Sequence, residues 1–189
     1  SVSLLPGERF GLASNPQPYK RARTWDQGRR DVAVLDVDAG VFRPVVKAHT
    51  GSAHLAPNGQ KVLTFHQGHW WVLEPGDAFP ADAFQGRSAL TQDLEVSFAD
   101  EDHDYPQDVP SYGFGAWLAD SSGVLVYDRY DIWHLPLDGE PRRLTQGRES
   151  EVRHRIWFLP EGVNGANPKD WHPLLLTDLE GKGNGLGWL

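Results

Sequence analysis

The sequence predicts an all-β fold built from short antiparallel strands, and three observations support this prediction. β-branched and aromatic residues are concentrated in short strand-like runs, as in residues 124–127 and 132–135. No window of a dozen residues keeps the apolar stripe of an amphipathic helix. Glycine (20) and proline (14) are frequent among the 189 residues, which is typical of many strands joined by turns. We therefore expect little helix.

A unit of turn, strand, turn and aromatic strand occurs twice. Residues 55–65 place a Pro-Asn-Gly turn before a strand, and residues 118–127 repeat this pattern with one residue deleted. An aromatic strand follows in each copy, at residues 69–73 and 131–135. Both copies then end in the tripeptide Leu-Thr-Gln, at residues 90–92 and 144–146.

Partial copies extend the repeat in both directions. Residues 31–40 match residues 131–139 at a constant offset, and residues 155–159 and 173–177 begin another unit. Residues 187–189 read as the start of a further strand. Because the sequence begins without Met and stops within a unit, we expect it to be part of a longer protein.

This repeat has the length and strand order of a propeller blade, about 40 to 50 residues with four strands. The sequence predicts a partial β-propeller of about four four-stranded blades that forms an open arc and not a closed ring. The blade segments are residues 1–50, 51–92, 114–146 and 150–189, and an acidic insertion covers residues 93–113. Open blade edges favour self-association.

Composition excludes several classes of function. The net charge of −8, from 18 Lys and Arg against 26 Asp and Glu, argues against nucleic-acid binding, which needs a basic face. No run approaches the roughly 20 apolar residues of a membrane-spanning helix, so no membrane partner is expected. The absence of cysteine removes disulfides and leaves the compartment open.

Several motifs together resemble one known family. The most specific is Tyr-Asp-Arg-Tyr-Asp-Ile-Trp at residues 127–133. The other matching segments are residues 18–21, 25–28, 30–32, 90–91, 100–104, 110–113, 117 and 153–155. With these segments the chain resembles the N-terminal β-propeller of bacterial prolyl oligopeptidase-family serine peptidases of the dipeptidyl or acylaminoacyl peptidase type.

The resemblance implies a propeller that caps a C-terminal α/β-hydrolase domain of the same parent chain. In that family the hydrolase domain carries a Ser-Asp-His triad, while the propeller restricts access and helps bind the peptide substrate. Family members are often exported, which favours a periplasmic or secreted location over a cytoplasmic one.

The chain lacks the family's catalytic signature. A nucleophile elbow needs Gly-x-Ser-x-Gly, and the nearest string, at residues 86–90, lacks the second glycine. We therefore expect no catalytic residue and no cofactor in this chain. The alternative function is a stand-alone propeller module that binds a protein or a peptide.

Candidate substrate-binding residues lie in the acidic insertion and in the Tyr-Asp-Arg-Tyr-Asp motif. They are Glu101, Asp102, His103, Asp104 and Arg129. The resemblance implies that the carboxylates of such a loop pair with the amino terminus of a substrate, but the insertion is also readable as a solvated acidic loop or a structural cation site. The EF-hand pattern is not met because no glycine closes the loop, so no metal is predicted.

The guanidinium of Arg129 suits carboxylate recognition, although its neighbours Asp128 and Asp131 favour a structural ion pair.

Histidine and tryptophan patterns have structural interpretations. His66 and His69 are three residues apart, and this spacing is expected to put them on opposite faces of a hairpin, which disfavours zinc. Trp70, Trp71 and Trp133 lie at matching points of the repeat, so we expect core packing.

Overall fold

The computed structural model describes residues 1–3, 8–21, 28–104, 106–156, 174–178 and 184–187, the last two ranges for strand placement only. Within these residues the fold is all-β, and the only helical elements are single 3-10 turns at Gln17–Tyr19 and Arg148–Ser150. No helix in the described part of the chain is long and apolar enough to cross a membrane. The prediction of little helix is confirmed.

Two antiparallel sheets form in the first half of the chain. The first contains, in spatial order, β1 (Val2–Ser3), β2 (Phe10–Asn15), β3 (Arg30–Asp36) and β4 (Val41–His49). The second contains β5 (Ala53–Leu55), β6 (Val62–His66) and β7 (His69–Leu73). Each strand pairs with its neighbour in sequence.

Two further sheets follow the same meander order. The third contains β8 (Phe114–Trp117), β9 (Gly123–Tyr127), β10 (Ile132–Pro136) and β11 (Arg142–Arg143), with β8 and β11 at its edges. The fourth contains β12 (His154–Ile156), β13 (Leu174–Asp178) and β14 (Asn184–Gly187). Each of the four sheets lies within one of the predicted blade segments.

The chain divides into two compact units. The first unit comprises Ser1–Gln92 and His103–Pro110, and the second comprises Asp93–Asp102 and Ser111–Leu189. The acidic insertion is thus split between the units: residues 93–102 and 111–113 belong to the second, and residues 103–110 to the first.

Each unit has its own apolar core. In the first unit the buried cluster consists of Val32, Val34, Val45, Val46, Val62, Leu73 and Ala83. In the second unit Leu125, Tyr127 and Ile132 are buried together. All five residues of β9 are buried, which explains why this strand is a continuous apolar run and not an alternating one.

The two complete repeats match without the deletion that the sequence suggested. The amide of Gly59 donates to the Ala56 carbonyl and the amide of Ser121 to the Leu118 carbonyl, each at 2.9 Å. Gly59 and Ser121 both have positive φ, +70° and +59°. Between residues 56 and 73, residue n of the first copy therefore corresponds to residue n + 62 of the second. The deletion was wrong because it aligned Leu55, and not Ala56, with Leu118.

A pair of hydrogen bonds joins each Leu-Thr tag to the aromatic strand. In the third sheet the Leu144 amide donates to the Ile132 carbonyl at 2.8 Å, and the Ile132 amide donates to Thr145 Oγ1 at 3.1 Å. We call this arrangement the Leu-Thr clasp. The tag, which begins twelve residues further along the chain, thus provides hydrogen-bond partners for both the amide and the carbonyl of Ile132.

The second sheet has the same clasp with the same distances. The Leu90 amide donates to the Trp70 carbonyl at 2.8 Å, and the Trp70 amide donates to Thr91 Oγ1 at 3.1 Å. Trp70 therefore corresponds to Ile132. In the third sheet the tag directly follows the outer strand β11. In the second sheet the segment between β7 and the tag is longer and irregular, and it contains no strand.

We predict that Thr145→Val lowers the free energy of unfolding by about 1–3 kcal/mol, because it leaves the buried Ile132 amide without its acceptor. Urea denaturation followed by tryptophan fluorescence measures this. The matched control is Thr50→Val, which removes an exposed hydrogen bond to Asp108 and is expected to change stability by no more than about 0.5 kcal/mol. Equal effects of the two substitutions would contradict a structural role for the clasp.

Candidate functional site

The candidate site lies in the second unit, at the turn between β9 and β10. The Asp128 amide donates to the Asp131 carbonyl at 3.1 Å, so Arg129 and Tyr130 form a two-residue turn. Asp128 Oδ1 accepts from the amides of Tyr130 at 2.7 Å and Asp131 at 2.5 Å. The buried carboxylate of Asp128 therefore fixes the backbone that presents Arg129.

The second oxygen of Asp128 connects this turn to other elements. Oδ2 accepts from Trp133 Nε1 at 3.1 Å and from Arg148 Nη2 at 2.9 Å. Arg155 Nη2 donates to the carbonyls of Asp128 and Arg129, at 2.9 and 3.3 Å. The turn is thus held both through the carboxylate of Asp128 and through the carbonyl groups of Asp128 and Arg129.

Asp131, at the other end of the turn, is also fully buried. Its carboxylate accepts from the Thr145 hydroxyl at 2.7 Å, the Gly147 amide at 2.5 Å and the Arg148 amide at 3.3 Å. A Cβ on Gly147 would collide with the Val152 carbonyl, so this approach requires glycine. Asp131 thereby extends the Leu-Thr clasp and positions residues 147–148.

Residues 93–102 are anchored to the same sheet by an aromatic contact. Phe98 is buried, and its ring meets the Trp133 ring edge-on with centroids 5.9 Å apart. The Tyr112 amide donates to the Phe98 carbonyl at 3.0 Å, and Ala99 and Ser111 form a β-bridge. The acidic residues after Phe98 are therefore carried by an attached loop.

Two arginines converge on one carboxylate at the surface of this loop. Arg129 Nη2 lies 3.2 Å from Asp102 Oδ1, and Arg153 Nη2 lies 3.4 Å from Asp102 Oδ2. The Asp102 side chain is 53% exposed, against 31% for Arg129 and 29% for Arg153. The Asp102 charge raises the pKa of Arg129 above its ordinary value, against the opposing effect of burial. We call this group the Asp102 bridge.

The expected pairing of Arg129 with its flanking aspartates is wrong. Arg129 pairs with Asp102, whereas Asp128 pairs with Arg148 and Asp131 lies 3.5 Å from Arg143. The reason is that both aspartates turn inward, Asp128 to the backbone of the turn and Asp131 to Thr145 and the amides of Gly147 and Arg148, while Arg129 reaches Asp102.

Glu101 lies beside Tyr112. The Glu101 amide donates to the Tyr112 hydroxyl at 2.9 Å, and that hydroxyl lies 3.4 Å from Glu101 Oε2, to which it donates. Burial is the main cause that raises the pKa of Tyr112. Glu101 itself is exposed. Its carboxylate therefore has capacity for a further partner.

The arginines of the site stack on tyrosines. The guanidiniums of Arg129 and Arg148 both lie over the Tyr130 ring, 5.7 and 5.4 Å from its centroid. The Arg155 guanidinium lies 4.7 Å from the Tyr127 centroid, and burial lowers the pKa of Arg155.

Sequence reasoning did not select Arg148, Arg153, Arg155 or Tyr112 as site residues. The Arg-His-Arg motif at residues 153–155 was the available signal.

The other two predicted site residues belong to the first unit. His103 is half-buried and Asp104 is exposed. Among the residues that the structure describes, no group of three or more His, Asp or Glu side chains is arranged to hold a metal ion. Of the five predicted residues, the structure brings together Glu101, Asp102 and Arg129.

The histidine pair in the first unit is not arranged as expected. His66 and His69 are direct cross-strand partners across a two-residue turn, so their side chains leave the same face. The error came from treating the spacing as one continuous strand. The His66 ring stacks on Phe84 with centroids 4.0 Å apart, and His69 Nδ1 lies 3.3 Å from Thr91 Oγ1.

Two other histidines of the first unit are shielded from solvent, His49 fully and His54 in part. Burial lowers the pKa of both His49 and His54 to about 4. The Nε2 atom of His49 lies 3.2 Å from the Ser52 carbonyl oxygen. These side chains are held as neutral imidazoles in the folded protein at neutral pH.

The tryptophans have different degrees of burial. Trp70 is completely buried, whereas Trp71 and its counterpart Trp133 are half-buried. Core packing is therefore complete at Trp70 and partial at the other two. Trp71 Nε1 donates to the His66 carbonyl at 3.0 Å, the position that Asp128 occupies for Trp133. Trp25, Trp157, Trp171 and Trp188 lie outside the described residues.

Comparison with known proteins gives no assignment. No protein-family model matches the chain. A search of curated proteins finds no significant match either.

We predict that Asp128→Asn lowers the free energy of unfolding by about 1–3 kcal/mol, because the amide nitrogen cannot accept from Trp133 or Arg148 in a buried position. Chemical denaturation measures the change. The control, Asp138→Asn, alters an exposed aspartate and is expected to stay within about 0.5 kcal/mol of the wild type. A neutral Asp128→Asn substitution would show that this carboxylate does not hold the turn.

We predict that stability falls as the pH is lowered from 6.5 towards 4. Unfolded histidine titrates near 6.5, while His49 and His54 titrate at about 4 in the fold, so the unfolded state binds more protons between these values. Each histidine contributes at most roughly 3 kcal/mol to this loss. Urea denaturation between pH 7.5 and 4.5 should give a shallower pH dependence for His49→Gln than for the wild type. Identical slopes would contradict the assignment.

Proposed function

We propose that the chain is a non-catalytic β-propeller region of a prolyl oligopeptidase-like serine peptidase, which gates access and helps bind peptide substrate. The observation that carries this proposal is the recurring unit of hairpin and Leu-Thr clasp in the second and third sheets, with equal hydrogen-bond distances of 2.8 and 3.1 Å. Repetition of such a unit in antiparallel meander sheets, here of three strands in the second sheet and four in the third, is typical of propeller blades.

The first sheet supports the same repeat. Asp31 corresponds to Asp131 in the predicted offset, and its carboxylate accepts from the Ala48 amide at 3.1 Å and from the Tyr19 hydroxyl at 2.5 Å. Val32 pairs with Val46 in the adjacent strand, as Ile132 bonds to Leu144. An inward-turned polar residue at the start of the third strand is thus used in both sheets.

The expected lack of catalysis rests on the missing sequence of a nucleophile elbow. An elbow holds its serine on a sharp turn from a strand to a helix. Ser88, in the nearest string, is exposed in an irregular segment between β7 and the Leu-Thr tag. In the parent protein, catalysis would belong to the α/β-hydrolase domain.

Glu101 is the best candidate to bind the amino terminus of a peptide. Its side chain is exposed, and its backbone amide is held by a hydrogen bond of 2.9 Å to the Tyr112 hydroxyl. Asp102 is less suited to this role, because each of its oxygens already faces a guanidinium. This assignment divides the acidic pair that the sequence suggested into one binding residue and one engaged residue.

We predict that the chain binds trialanine amide, which has a free amino terminus and no carboxylate, more tightly than N-acetyl-trialanine amide. Isothermal titration calorimetry at constant ionic strength compares the two peptides. Glu101→Gln should remove the preference, and the control Glu95→Gln, which changes another exposed acid of the same loop, should keep it.

The same samples test the assignment of the chain as non-catalytic. Mass spectrometry after prolonged incubation should recover both peptides intact. Cleavage by the purified chain, or equal binding of both peptides, would contradict the proposed function.

A further inference from the structure

The Asp102 bridge has the geometry of an occupied carboxylate site. Arg129 meets one oxygen of Asp102 at 3.2 Å and Arg153 meets the other at 3.4 Å. Guanidinium groups are well suited to carboxylates because their N–H donors match the two oxygens. Asp102 lies at the surface, with more than half of its side chain exposed.

The backbone that carries each arginine is held independently of Asp102. Arg129 sits on the turn that Asp128 fixes, with its guanidinium near the Tyr130 ring. Arg153 lies between two anchored neighbours: the Val152 amide donates to the Gly147 carbonyl at 2.9 Å, and the His154 amide donates to the Tyr130 carbonyl at 2.6 Å. Such preorganisation lowers the entropic cost of binding an external group.

The local charge also favours an anion. Within the Asp102 bridge, Arg129 and Arg153 both face the single carboxylate of Asp102. Two guanidiniums against one carboxylate leave the bridge with a surplus of positive charge in a chain whose net charge is −8. Removal of Asp102 from between the arginines increases that surplus.

We propose that Arg129 and Arg153 form a carboxylate-binding site for a peptide, and that Asp102 occupies this site in competition with the peptide carboxylate. The choice of a peptide as ligand rests on the proposed function. The choice of a carboxylate rests on the Asp102 bridge, in which a two-oxygen group already fits between the guanidiniums. Exposed ion pairs contribute little to stability, so an external carboxylate can replace Asp102 at small cost.

The test uses N-acetyl-trialanine, which has a free carboxylate and no free amine, and N-acetyl-trialanine amide as its matched control. Titration calorimetry, or NMR of the arginine Nε–H signals, measures binding to the whole chain at constant ionic strength. Asp102→Asn should tighten binding of the free acid roughly two- to fivefold, since it removes the internal competitor. Glu95→Gln removes the same charge from the same loop and should leave the affinity unchanged.

Substitution of the arginines supplies the opposite change. Arg153→Ala in the Asp102→Asn background should abolish the gain, and Arg153→Lys should restore part of it, because lysine keeps the charge without the fork. Circular dichroism of each variant checks that the fold is intact.

Three results would overturn the proposal: equal binding of the acid and its amide, equal effects of Asp102→Asn and Glu95→Gln, or tighter binding of inorganic phosphate than of the carboxylate. If trialanine amide still binds through Glu101 in that case, the proposed function stands and only the carboxylate site is lost. If neither peptide series binds, both proposals fall.

Discussion

Two buried carboxylates, one at each end of a two-residue turn, determine most of the structure of the second unit. A carboxylate removed from water is costly unless donors surround it. Asp128 meets this requirement with two backbone amides, Trp133 and Arg148, and Asp131 meets it with Thr145 and the amides of residues 147 and 148. The same bonds close the turn, lock the Leu-Thr clasp and position the arginines.

The equivalent turn in the first unit has the clasp without the carboxylates. His66 and His69 take the places of Asp128 and Asp131, and the turn between them has positive φ at Gln67 (+49°) and Gly68 (+83°). Thus the clasp is common to the second and third sheets, whereas the turn with two carboxylates occurs in the third and not in the second. Because the clasp forms without these carboxylates, the polar turn is available for a binding function.

Local patterns in the sequence were sufficient to predict the strands, the repeated tags and three of the residues that meet at the site. They were insufficient for the Asp102 bridge, because Arg153 and Asp102 are 51 residues apart and meet only when the loop folds back. Adjacency in sequence was misleading for Asp128 and Asp131, whose side chains turn inward. The His66 and His69 error has the same origin, since a turn reverses the rule that holds within one strand.

The second unit separates what holds the site from what is available to a ligand. Asp128 and Asp131 are fully buried and satisfied, so their removal leaves unpaired groups in a low-dielectric interior. Asp102 is more than half exposed, and water can replace it at either guanidinium. Because the backbone that carries both arginines keeps its hydrogen bonds when Asp102 leaves, exchange of this carboxylate for another does not require the fold to change. Two guanidiniums on an anchored backbone that face an exchangeable carboxylate are an arrangement suited to carboxylate binding.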